Sequence, residues 1–203
     1  MKLYDLPASP NARRVRIFVA EKGLDIPLVP VNMMENENKT DEYMAKNSLG
    51  RMPLLELDDG SCIAESMAIC RYLEELHPEP PLLGRDALDK AMVEMWQRRM
   101  EFELLMPIIA VFRNTAEMFK DRVQQIPEMA EVEAENVKAK IEWLEKELEG
   151  KQYIANDEYT AADITAQCSF VMAKAALGIR IPEEMSNLNQ WWERVTSRPT
   201  ARA

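Results

Sequence analysis

A chain of 203 residues that is 47% hydrophobic and 30% charged has the make-up of a folded globular protein, long enough for one large domain or two small ones. A formal net charge of −10, with no basic cluster set against it, argues against nucleic acid as a partner and disfavours an anionic membrane surface. No apolar run is long enough to span a bilayer, and Lys2 to Leu6 reads as a strand rather than a signal peptide, so the expected location is the cytoplasm.

Met1 to Asp5 is a predicted short strand, ended before Pro7. Ser9-Pro10 is a strong helix start, with Ser9 as N-cap and proline in the first turn. That helix should run to about Lys22, with Val15, Phe18 and Val19 on one face and Gly23 as the stop. Ile26 to Val31 predicts the next strand, Asn32 to Thr40 a polar mobile loop, and Asp41 to Lys46 one or two helical turns.

Asn47 to Ser66 is the most informative stretch. Gly50 and Pro53 bracket a turn, and Leu54 to Leu57 and Ser61 to Ala64 are short strands around a hairpin turn at Asp58-Asp59-Gly60. Pro53, at the first residue of a strand, has no N–H to give. Met52 is therefore free to offer its own N–H and C=O to an extended ligand. Glu65-Ser66 bring a carboxylate, a hydroxyl and free backbone N–H groups to a helix N-terminus, a position that receives a carboxylate well. An ordinary hairpin followed by a capped helix would use the same residues. The helix from Glu65 to His77 carries Ile69, Cys70, Leu73 and Leu76 at helical spacing.

The order β-α-β-α-β-β-α is that of a compact α/β unit. His77-Pro78-Glu79-Pro80-Pro81 can continue neither helix nor strand, which divides the chain into a domain over 1–77, a linker over 78–85 and a helical domain over 86–203. Asp86 to about Lys120 should be helical with a kink or break at Pro107. Glu128 to Glu149 turns Val137, Ile141, Leu144 and Leu148 inward and stops at Gly150. Thr160 to Asp163 is a capping-box variant opening an almost uncharged helix to Leu177, the expected core of the second domain. Ser186 to Ser197, with Leu188, Trp191, Trp192 and Val195, closes the chain.

The three cysteines, Cys62, Cys70 and Cys168, lack metal-ligand spacing and read as reduced, mostly buried thiols. With His77 the single histidine, sitting at a helix end, no metal site and no histidine-based triad is expected.

Ser9-Pro10-Asn11, the pattern N-x-x-G-x-M-P from Asn47 to Pro53, Glu65-Ser66, the proline linker and Thr160 to Asp163 together resemble the glutathione transferase family along nearly the whole chain. The resemblance implies a thioredoxin-like N-terminal domain and an all-helical C-terminal domain. It also implies a homodimer, an active site in the cleft between domains, and glutathione as co-substrate. In that family the residue before a cis-proline pairs its backbone with the cysteinyl part of glutathione, a role that falls to Met52 and Pro53. Glu65 and Ser66 match the pair that holds the γ-glutamyl end, and Lys39 or Arg51 would contact the glycine carboxylate. These residue types suit two carboxylates and one ammonium group.

The chemistry needs the thiolate, and a free thiol of pKa ~8.5 is only slightly ionised at neutral pH. Ser9, at the N-terminus of the first helix, is the leading candidate to lower that pKa by donating to sulfur. Its alternative is a plain N-cap, and Tyr4 and Asn11 are further possible donors. The pattern Ser-Pro-x-x-x-Arg-Val-Arg from Ser9 to Arg16 resembles a bacterial and fungal subset in which a water held by the fourth helix, with a histidine, is implicated. This chain has Arg113, Asn114 and Thr115 there and no histidine. Phe112, Arg113 and Asn114 are the candidate second-substrate residues, with Met106, Ile109 and Met118 nearby in sequence. The expected activity is conjugation of the glutathione thiolate to electrophilic, largely apolar compounds in detoxification, or reduction of peroxides. The alternatives are a non-catalytic glutathione- or protein-binding module and a glutathione-dependent isomerase.

Overall fold

A computed structural model describes all residues from 1 to 203. Two compact units divide the chain: Met1–Leu82 with Arg202–Ala203, and Leu83–Ala201.

The first unit runs β1 (Lys2–Asp5), α1 (Pro10–Glu21), β2 (Leu28–Pro30), α2 (Asp41–Lys46), β3 (Leu54–Glu56), β4 (Cys62–Ala64) and α3 (Ser66–Leu76). The sheet order is β2-β1-β3-β4, with β1 and β2 parallel and the other two pairs antiparallel. Only the parallel pair needs a long crossover, which α1 supplies. The β3–β4 hairpin turns at Gly60 (φ 85°), where Asp59 Oδ1 accepts from the Ser61 N–H at 2.8 Å. Both strands of the hairpin and β2 are shorter than their apolar runs, because pairing extends over three residues only.

Strand pleating puts Leu3 and Leu55 on one face of the sheet and Tyr4 and Leu54 on the other. Helices α1 and α3 pack together and bury Val15, Phe18, Ile69 and Leu73 completely. On the Tyr4 face, Tyr43 of α2 joins Val31, Met52 and Leu54 in a second small core. Lys22, at the end of α1, pairs with Glu74 of α3 at 2.6 Å and also donates to the Pro80 carbonyl, which ties down the proline segment.

Asn32 to Thr40 is not the loose loop that its polarity predicts. It forms two 3-10 turns, Met33–Glu35 and Glu37–Lys39. Its polar side chains bond their own backbone: Asn32 Oδ1 accepts from Met34, Glu37 Oε2 from Asn32, and Thr40 Oγ1 donates to Glu37.

The second unit contains α4 (Ala87–Met100), α5 (Met106–Thr115), α6 (Pro127–Glu147), α7 (Ala161–Leu177) and α8 (Ser186–Thr196). The break expected at Pro107 takes the form of a π turn over Glu101–Leu105, in which the Met106 N–H reaches the Glu101 carbonyl. Proline lacks the N–H that would serve the carbonyl of Glu103 and crowds it, so the helix widens one turn earlier. Helix α7 is the centre of this unit, buried at every position from Ala161 to Phe170. Its capping box is complete. Asp163 accepts from the Thr160 N–H at 3.0 Å, and from Trp191 Nε1 at 2.8 Å and the Ile154 N–H at 3.0 Å. Burial pushes the Asp163 carboxyl above the usual range, against the pull of those donors. No helix is long and apolar enough to cross a membrane.

Candidate active site

Ser9 caps α1: its Oγ accepts from the Ala12 N–H at 3.4 Å, a long bond that leaves the hydroxyl proton unused. Pro10 has no N–H, and the Arg13 amide is closed onto the Ser9 carbonyl. The Asn11 N–H is therefore the first-turn amide of α1 with no partner inside the chain.

Asn11 is tied to α3 through Arg14. The Arg14 guanidinium, fully buried, donates to Asn11 Oδ1 at 3.1 Å and to Ser66 Oγ at 2.6 Å. Ser66 is the first residue of α3, and the cap before it is Glu65, with φ 67° and ψ 118°. A glutamate in that region carries backbone strain, and its side chain is exposed and makes no capping bond. The Ser66, Met67 and Ala68 amides thus lack a side-chain cap and point out of a helix N-terminus.

The turn before β3 is held from α2. Tyr43 Oη and Asn47 Nδ2 each donate to the Arg51 carbonyl at 2.8 Å, and Asn38 Nδ2 donates to the Gly50 carbonyl at 2.7 Å. Gly50 has φ 60°, and a Cβ there would stand 2.7 Å from the Asn38 carbonyl oxygen and 3.1 Å from Lys39 Nζ. Only glycine fits, and the exposed Lys39 lies against the same turn. The Met52-Pro53 bond is cis, both residues are buried, and the Met52 N–H and C=O make no hydrogen bond within the chain. Arg51 is exposed.

Of the sequence candidates, the structure brings Asn11 and Ser66 together through one arginine and sets Lys39 beside the Gly50–Pro53 turn. Tyr4 is committed elsewhere. Its hydroxyl donates to Glu56 Oε2 at 2.9 Å and accepts from Lys46 Nζ at 2.6 Å. In the second unit, Phe112 packs edge-on against Phe119, and the Arg113 guanidinium lies 5.9 Å from the same ring. Asn114, the third of these candidates, is bonded within the chain. Its Nδ2 donates to Ala110 and its Oδ1 accepts from Ile126, which staples α5 to the start of α6. Met106 opens instead on a groove of about 510 Å³ shared with Phe102, Pro107 and Ala110 and bordered by Glu133 and Lys140 of α6.

The roles of Arg14, Tyr43, Asn47 and Asn38 were missed, although Arg14 and Asn47 are fixed positions of the two patterns quoted above. Arg14 left a further trace, since it stands four residues before the core residue Phe18 and so shares its buried face. The other three act on carbonyls, which no side-chain pattern announces.

A four-stranded mixed sheet flanked by helices, followed by an all-helical unit, defines a thioredoxin-like domain joined to a helical one. Residues 1–75 match the glutathione S-transferase N-terminal domain and residues 103–199 the glutathione S-transferase C-terminal domain. The chain belongs to the glutathione S-transferase family and is a glutathione transferase. It is 34% identical over 206 residues to glutathione S-transferase 2 of Saccharomyces cerevisiae, across 100% of this chain and 88% of that protein. The crystal structure of Gtt2 from Saccharomyces cerevisiae superposes with a TM-score of 0.93 at 33% identity, covering 100% of this chain and 99% of that one. A maleylacetoacetate isomerase of Pseudomonas aeruginosa is 44% identical over 93 residues, 45% of this chain and 44% of that protein.

Proposed function

We propose that this transferase joins the glutathione thiolate to electrophilic, largely apolar compounds, as a cytoplasmic homodimer working in detoxification, with reduction of organic hydroperoxides as a second use of the same thiolate. The observation that carries the reading is the Met52 backbone. Its N–H and C=O are unpaired on a turn whose Gly50 and Arg51 carbonyls are held by buried side chains, which is what an extended tripeptide requires.

Around Met52, Glu65 pairs with the γ-glutamyl ammonium, and Ser66 with the free amides of α3 takes the γ-glutamyl carboxylate. Lys39, with Arg51, balances the glycine carboxylate. The Ser9 hydroxyl donates a hydrogen bond to sulfur, and the Asn11 N–H adds the positive end of α1, so the thiol releases its proton to water near neutral pH. The thiolate then forms a carbon–sulfur bond while the leaving group departs with its electron pair. Phe112 and Arg113 serve the second substrate, with Asn114 holding their helix end in place. Exposed Phe102, Met106, Met129 and Val132 give a second copy an apolar surface to cover.

Calorimetry with glutathione, then turnover of a chloronitrobenzene and of cumene hydroperoxide, tests the reading; a protein that binds glutathione and turns over neither is a binding module. Sedimentation at micromolar concentration tests the dimer. Isomerisation of maleylacetoacetate is the second reading, favoured by the identity to the Pseudomonas enzyme, and a rate above that on chloronitrobenzene would put it first.

A further inference from the structure

The Arg51 carbonyl is the most heavily bonded group in the turn, though it is a backbone oxygen on an exposed residue. Its two donors, Tyr43 and Asn47, are only 5% and 8% exposed, so water does not readily replace either one. A carbonyl oxygen has two lone pairs, and here each has a partner.

The peptide between Arg51 and Met52 is trans, the cis bonds being confined to Met52-Pro53 and Glu79-Pro80. A trans peptide is planar, with its N–H antiparallel to its C=O. Pinning the Arg51 oxygen toward Tyr43 and Asn47 therefore aims the Met52 N–H the opposite way, where the chain supplies no acceptor. We propose that Tyr43 and Asn47 are positioning residues for glutathione, orienting the Arg51–Met52 peptide so that the Met52 N–H meets a backbone carbonyl of the cysteinyl residue. This rests on the reading of Met52 given above.

The two donors are themselves fixed. Asn47 closes α2 and bonds at both ends of its amide, with Oδ1 accepting from the Leu49 N–H at 3.2 Å. Tyr43 stands edge-on to Tyr4, ring centroids 5.7 Å apart. Burial pushes its hydroxyl up to about 12, so it remains a donor at any pH used for assay. Between them, Lys46 fastens α2 to the sheet through Glu56 and the Tyr4 hydroxyl. The clamp therefore runs from the sheet through one short helix to a single peptide plane.

The test is glutathione affinity by calorimetry in Tyr43→Phe, Asn47→Asp and the double variant. Either donor alone still holds the oxygen, so each single change should weaken glutathione binding only about threefold, while the double change should weaken it about thirtyfold or more, beyond the product of the two. The KM for chloronitrobenzene at saturating glutathione should move less than about twofold, a split that a loosened fold would not give. Asn47→Asp keeps the shape and the bond to Leu49 but also turns a charged oxygen toward the Arg51 carbonyl, so Tyr43→Phe, which removes only a hydroxyl, carries the test should the double variant fail to fold. Variants with lowered melting temperatures and wild-type glutathione affinity would overturn the proposal. Wild-type protein that binds no glutathione would instead sink the reading beneath it.

Discussion

Arg14 and Ser66 meet at 2.6 Å, a buried guanidinium on the first helix donating to the hydroxyl that opens the third. Arginine can only donate, so Ser66 Oγ is the acceptor in this bond, and its own proton is left for an acceptor from outside the chain. The same logic orients Asn11: its Oδ1 is taken by Arg14, which leaves Nδ2 as a donor. One buried cation thus sets the donor polarity of both helix N-termini. Arg14→Met keeps most of the volume and removes the fork. The expected result is a loss of about 1–3 kcal/mol of unfolding free energy, read by urea titration, together with about tenfold weaker glutathione binding. Weaker folding with unchanged glutathione affinity would confine Arg14 to a structural role.

Ser9→Ala separates cap from catalyst. Its bond to the Ala12 N–H is long, so the cap is worth at most about 1 kcal/mol of stability. If the hydroxyl also stabilises the thiolate, kcat should fall at least tenfold, about 1.4 kcal/mol in the barrier, and the pKa of bound glutathione, read from thiolate absorbance, should rise. A lowered melting temperature with an unchanged rate would leave Ser9 as a cap and move thiol activation to the Asn11 amide.

Glu56 gives the fold a signature in acid. Hydrogen bonds from Lys46, then Tyr4, hold its carboxyl well below the usual carboxylate range, down to about 2. A carboxylate depressed on folding contributes stability that is fully present above its ordinary pKa of about 4.3 and is lost as pH falls toward 2. Thermal melts between pH 5 and 2 on the wild type and on Glu56→Gln should therefore converge as the pH drops. Parallel curves would mean that the Lys46–Glu56 link adds nothing.

The fold was legible because its signals are local. Ser9-Pro10 and Gly23 bound α1, the apolar spacing of Val137, Ile141 and Leu144 turns α6 inward, and Thr160 with Asp163 starts the buried helix. The residues proposed to touch glutathione were legible for a related reason: Met52, Pro53, Glu65 and Ser66 occupy chain punctuation, where a turn or a helix start betrays them. What supports them was not. Arg14 reaches Ser66 across 52 residues of sequence, and Tyr43 acts on a carbonyl eight residues on. Asn114 shows the converse, since a polar residue on a helix looks available until its partners at Ala110 and Ile126 are known. Asn32 to Thr40 misled for want of apolar residues, because its order comes from side chains closing on their own backbone.

Glu65 holds φ 67° and ψ 118°, a conformation that costs a glutamate about 1–3 kcal/mol and a glycine, which has no Cβ to clash, less. Glycine at this position would release that strain, less about 0.4–1 kcal/mol for the greater freedom of its unfolded chain. Glu65→Gly should therefore melt at or above the wild-type temperature. It should also bind glutathione at least about tenfold more weakly, because the carboxylate proposed to face the ammonium is gone. Glu65→Gln keeps the strained backbone and removes only the charge, so it should lose the same affinity with no gain in melting temperature. Opposite movements of stability and affinity in the glycine variant would identify the strain as one retained for the ligand; a glycine variant that melts lower and binds as before would refute both halves of the argument.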